Sequence, residues 1–109
     1  MKIYTLKSCD TCRKALKTLR DEAIEFEMKD IRADGISQDD IVQILAVFGD
    51  KAVNKASATW RGLSDAEKQM ELPLLIDDFP TLLKRPVIFK NGQWFHGWTP
   101  AVQFAALGR

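Results

Sequence analysis

The stretch Lys2-Ile3-Tyr4-Thr5-Leu6-Lys7-Ser8-Cys9-Asp10-Thr11-Cys12-Arg13-Lys14-Ala15 joins a strand to a helix through a loop that holds the first of the chain's two cysteines. Residues 2–6 alternate in β-friendly types, and Lys7 to Thr11 are loop and capping types. From Cys12 the apolar positions Ala15, Leu16, Leu19 and Ala23 recur at helical spacing, with charged residues between them. That spacing predicts an amphipathic helix beginning near Asp10. Cys9 then falls where loop meets helix, and Cys12 lies one turn inside.

Working outward, Ile24-Glu25-Phe26-Glu27-Met28 alternates with period two and reads as a second strand. Ser37-Gln38-Asp39-Asp40 resembles a capping box ahead of Ile41, Ile44, Leu45 and Phe48, and Gly49 suits the helix exit. Ser64 with Glu67 offers a second box. Leu74, Leu75, Phe79, Leu82 and Leu83 suggest one more helix, interrupted by Pro73 and Pro80. Val87 to Lys90, the Asn91-Gly92 turn and Gln93 to His96 predict a β-hairpin. Thr99 followed by Pro100 opens a closing helix.

The order β-α-β, helices, β-β-α predicts an α/β fold, a thioredoxin-like (glutaredoxin-like) mixed four-stranded sheet with an inserted helical segment at about 37–83. At 109 residues with 46% hydrophobic content, the chain is expected to form a single domain over 1–109. Sixteen Lys and Arg against fifteen Asp and Glu leave a net charge of +1. No global field then draws it to nucleic acid or an anionic membrane. No apolar run approaches the roughly 20 residues of a membrane span, and no signal peptide is visible, so the expected location is cytoplasmic.

Two cysteines three positions apart in a reducing compartment point to chemistry rather than to a structural disulfide. A thiol attacks as thiolate, and a free pKa of about 8.5 leaves little of it at neutral pH. Backbone N–H groups and the positive end of the helix dipole at Cys9 can stabilise the anion. Cys12 can resolve a mixed disulfide on Cys9, or be a small buried core residue. A zinc site needs further ligands and only His96 remains, so no metal is expected. His96, on a strand beside Trp94 and Trp98, is read as structural or exposed.

Cys9 to Ala15, together with Asn54-Lys55-Ala56-Ser57-Ala58-Thr59-Trp60-Arg61 and Lys84-Arg85-Pro86-Val87, resembles the ArsC/Spx family over nearly the whole chain. The short length and the Cys-Asp-Thr opening are most similar to its YffB-like branch of thiol reductases. The resemblance implies a nucleophile at Cys9, an arginine near that sulfur at Arg85, and a cis-proline opposite it at Pro86. Arg85 can lower the thiolate pKa and offers a planar fork for a carboxylate or an oxyanion. Lys55 stands where relatives often carry a basic residue. The expected site is therefore Cys9, Cys12 and Arg85 for catalysis, with Lys55, Arg85 and Pro86 for substrate.

The function so implied is thiol-disulfide exchange, with no bound cofactor and glutathione as co-substrate. Arsenate reduction is an alternative, although His96-Gly97-Trp98 stands where arsenate reductases place a further arginine. An Spx-like redox switch that binds RNA polymerase is the other alternative. Cys12 favours the switch. The end of the chain just after its last helix favours the reductase.

Overall fold

The computed structural model describes residues 1–109. The chain forms two compact units, residues 1–30 with 85–109, and residues 31–84. The first contains the sheet. Strands β1 (Lys2–Thr5), β2 (Glu27–Asp30), β3 (Val87–Lys90) and β4 (Gln93–His96) lie in the order β2-β1-β3-β4. β2 runs parallel to β1, whereas β1 with β3 and β3 with β4 are antiparallel. This is the mixed sheet of a thioredoxin-like fold.

Two helices complete that unit, α1 (Asp10–Asp21) and the closing helix α6 (Pro100–Ala106). Ile3 pairs with Ile88 across β1 and β3, and both side chains meet Ala15 and Leu19 of α1 and Val102 and Ala106 of α6 in one buried cluster. Both helices therefore cover the same sheet face. Each such Leu or Ile stabilises the fold by about 1.5–3 kcal/mol through lost water contact. Thr99 caps α6, its hydroxyl accepting from Val102 N, and Lys90 Nζ donates to the carbonyls of Ala105 and Ala106 at 3.0 Å at the other end. The hairpin turn is as its sequence predicts, with Asn91 at φ 51° and Gly92 at φ 77°.

Two expectations are corrected in this unit. Ala23 is not part of α1. It has φ 54°, and Ile24 N closes the helix end on Leu19 O at 2.9 Å. β2 starts at Glu27 rather than Ile24: Glu27 pairs with Lys2, the first residue of β1, and its N–H donates to Met1 O at 2.8 Å. Ile24 and Phe26 spend their alternation packing against the core cluster instead.

The second unit is helical: α2 (Gln38–Phe48), α3 (Ala58–Arg61), α4 (Asp65–Lys68) and α5 (Leu72–Asp78), with 3₁₀ turns at Gly49–Ala52 and Pro80–Leu82. Ser37 caps α2, and Gly49 ends it at φ 57°. Ile41, Ile44, Leu75 and Ile76 are buried along the packed α2 and α5. Pro73 does not interrupt α5, because it occupies the first turn, where a missing N–H costs nothing. Pro80 opens the following 3₁₀ turn after a break at Phe79. The short α3, capped by Ser57, had no apolar periodicity to announce it. No helix of the chain is long and apolar enough to cross a membrane.

Candidate active site at Cys9

β1 ends at Thr5, and a tight turn brings Cys9 N to Leu6 O at 3.0 Å, which fixes where α1 can begin. Cys9 is the N-cap of that helix. Its extended backbone (φ −89°, ψ 116°) lets its carbonyl accept from Arg13 N while its sulfur accepts from Cys12 N at 3.4 Å. Capping positions favour Ser, Thr, Asp and Asn because an oxygen there satisfies an orphan helix N–H. A sulfur in that place receives the same donor, and the helix dipole adds to it. The bond is better made by an anion than by a thiol.

Arg85 enters from the segment before β3. It donates a hydrogen bond to the Cys9 sulfur and faces it with its positive charge. Its Nε is buried and donates to no acceptor, although the guanidinium as a whole is engaged. The Arg85–Pro86 peptide bond is cis, and Pro86 O accepts from Gly97 N at 2.8 Å, which ties this segment to the end of β4.

Partial burial of Cys9 pushes its pKa up, but the Cys12 backbone N–H, the Cys12 thiol and Arg85 together outweigh it, and the net direction is down. Cys12 goes the other way. Full burial raises it most, the neighbouring Cys9 sulfur adds to this, and the backbone of Leu6 and the charge of Arg85 oppose it only partly; its pKa is pushed up to about 12. One turn of helix thus holds a half-buried thiol that ionises more readily than a free cysteine and a buried thiol that ionises less readily. Both cysteines are free.

Cys9, Cys12, Arg85 and Pro86 all lie in the first unit, and the first three interact directly. Lys55 lies in the second unit, where its ammonium stands 5.4 Å from the centre of the Trp60 ring. His96 pairs with Val87 in the sheet register. No three His, Cys, Asp or Glu side chains gather where they could hold a metal ion.

Two participants escaped the sequence. The backbone of Leu6 contacts both cysteines, and no side-chain pattern announces a backbone donor or acceptor. Asp10, next to the nucleophile, pairs with Arg13 one turn on, and an acid followed three residues later by a base is a visible signal for such a pair. Both groups are exposed, so the pair contributes little stability; it offsets a negative charge beside Cys9.

Residues 4–103 match the model of the ArsC family. The chain is 40% identical over 111 residues to an uncharacterised protein of Haemophilus influenzae, with 96% of each chain covered. It is 32% identical over 95 residues to the global transcriptional regulator Spx of Staphylococcus aureus, covering 82% of this chain and 72% of the regulator. Among solved structures it is similar to the YffB protein, with a TM-score of 0.86, 28% identity and 97% of both chains covered. The fold, the length of the match and the cysteine at the head of α1 agree: this chain belongs to the ArsC family.

Proposed function

We propose that the protein is a thiol-disulfide oxidoreductase that uses Cys9 as nucleophile and glutathione as co-substrate. The observation that carries this reading is the Cys9 sulfur itself, capping α1 with the Cys12 N–H on one side and Arg85 on another. An ArsC-family scaffold of the arsenate-reductase-like kind surrounds it.

The Cys9 thiolate attacks one sulfur of a disulfide, forms a mixed disulfide and expels the other half as thiolate, which takes a proton from solvent. Capping Cys9 removes its negative charge, and with it a contribution that raises Cys12. Cys12 then loses its proton, attacks the Cys9 sulfur and releases the second thiolate, leaving a Cys9–Cys12 disulfide. Two electrons have passed from the dithiol to the substrate. Two glutathione thiols return them and leave as glutathione disulfide. Glutathione attack on the mixed disulfide gives the same balance without Cys12.

Arg85 is the cation assigned to a carboxylate of glutathione, and family resemblance alone assigns Lys55 and Pro86 to substrate binding. Arg85 suits an arsenate oxygen as well, so arsenate in place of the disulfide is a variant of the same first attack. The cytoplasm, where glutathione keeps thiols reduced, is the compartment this chemistry needs.

The similarity to Spx favours a second reading, in which the Cys9–Cys12 pair is a redox switch governing contact with RNA polymerase. Assays of Cys9→Ser and Cys12→Ser separate the two. Glutathione-dependent disulfide reduction that is lost in Cys9→Ser supports the enzyme. Absence of turnover in the wild type, with polymerase binding that changes on oxidation, replaces it by the switch.

A further inference from the structure

Trp60 in the second unit has two cations near its ring. Lys55 Nζ lies 5.4 Å and Lys68 Nζ 5.7 Å from the centre of its ring. The two lysines come from different segments, and each segment is locally fixed. Asn54 Oδ1 accepts from Ala56 N at 3.1 Å and Asn54 O accepts from Ser57 Oγ at 2.7 Å, so the turn that presents Lys55 is pinned on both sides. Ser57 then caps α3, which carries Trp60. Lys68 ends α4, whose capping box fixes the start of that four-residue helix.

The same capping box directs the carboxylate of the acid nearest Lys68 in sequence toward Ser64. Glu67 accepts from Ser64 N at 2.8 Å, and this backbone hydrogen bond, with the Ser64 side chain, holds its carboxyl below the usual range. Neither Lys55 nor Lys68 stands within ion-pair distance of a carboxylate. Two ammonium groups within cation–π distance of one indole, neither of them in an ion pair, concentrate positive charge at this place on the chain. Lys55 and its neighbour Ala56 are exposed, and Trp60 and Lys68 are half-buried, so a ligand can reach the ring and both charges.

We infer that Lys55, Trp60 and Lys68 form a docking site for an acidic, extended peptide segment of a protein partner. Carboxylates at alternate positions of an extended chain lie about 6–7 Å apart on one side, and two cations each within about 6 Å of one ring centre can meet such a pair. The backbone and side chains between them find an apolar surface in the indole, which both ammonium groups approach. The site extends the thiol reading by giving protein substrates a place to dock, with Lys55 common to both. It does not depend on sulfur chemistry.

The test uses the full chain and a blocked six-residue peptide of alternating Glu and Ser, without cysteine, followed by NMR shift mapping. Saturable shifts of the Trp60 indole N–H and of Lys55 and Lys68 are expected. The combined Lys55→Ala, Lys68→Ala variant weakens binding by about tenfold, as loss of two exposed ion pairs implies, and the matching pair of Lys→Arg changes preserves it. Raised salt weakens binding, and a Gln-for-Glu peptide does not bind. The Lys68→Ala variant alone leaves the rate of Cys9 alkylation unchanged, which keeps this result separate from the fate of the thiol reading. Equal affinity for the Gln peptide, or shifts that miss Trp60, overturns the proposal. So does binding of S-methylglutathione at Trp60 without binding of the peptide, which leaves the patch to glutathione alone.

Discussion

The backbone N–H of Cys12 points at the sulfur of Cys9 across 3.4 Å, so the helix that carries the second cysteine begins with a hydrogen bond to the first. The geometry makes the pair unequal. The donor can serve Cys9 because Cys9 lies outside the helix, whereas the backbone hydrogen bond of Cys12 with Leu6 only partly offsets the effect of its burial. Burial then separates them further: Cys12 is fully buried and Cys9 is not.

Arg85→Ala removes a donor and a positive charge from the Cys9 sulfur, so the Cys9 pKa rises. A hydrogen bond to a charged group is worth about 1.5–3 kcal/mol, which corresponds to a rate of alkylation at neutral pH lower by roughly tenfold or more. Arg85→Lys restores charge without the planar fork and falls between the two. Iodoacetamide kinetics against pH measure all three.

Cys12 makes the fold sensitive to alkali. Its folded pKa of about 12 lies above that of an unfolded cysteine, so the folded state keeps a proton that the unfolded chain gives up. Its contribution is complete below about pH 8.5 and is lost progressively as pH rises toward the folded value. Cys9, with a lowered pKa, acts in the opposite sense: stability rises between its folded pKa and that of an unfolded cysteine. Urea midpoints measured from neutral to alkaline pH should fall less steeply in Cys12→Ala than in the wild type.

Gly92→Ala tests the hairpin. Gly92 has φ 77°, and a methyl group added there meets no atom within 4 Å, so the cost is confined to the backbone. A left-handed conformation costs a residue with a Cβ roughly 1–2 kcal/mol, which should appear as a lower thermal midpoint with an unchanged far-ultraviolet spectrum.

The position of Cys9 at the head of α1 was legible because it depends on local signals: an alternating strand, a loop of capping types and an amphipathic helix, read within fifteen residues. Thr99, Ser37 and the Asn91-Gly92 turn were legible for the same reason. Arg85 was different. Nothing in Lys84-Arg85-Pro86-Val87 states that the guanidinium meets a sulfur 76 positions earlier, and only family resemblance pointed to it. The alternation from Ile24 to Met28 was real but misplaced the strand, because the pattern alone does not state where pairing with β1 begins, which is at Glu27. Lys68 beside Trp60 could not be read at all, since the contact depends on how α3 and α4 fold against each other.

The most direct test of the central claim is the thiolate absorbance of the native protein followed across pH, in the wild type and in Cys9→Ser. Two separate transitions are expected in the wild type, one below the ordinary cysteine value and one near 12, and only the lower one should vanish in Cys9→Ser. A Cys9 transition at or above that of free cysteine, about 8.5, would contradict the account of Cys9 as an activated nucleophile.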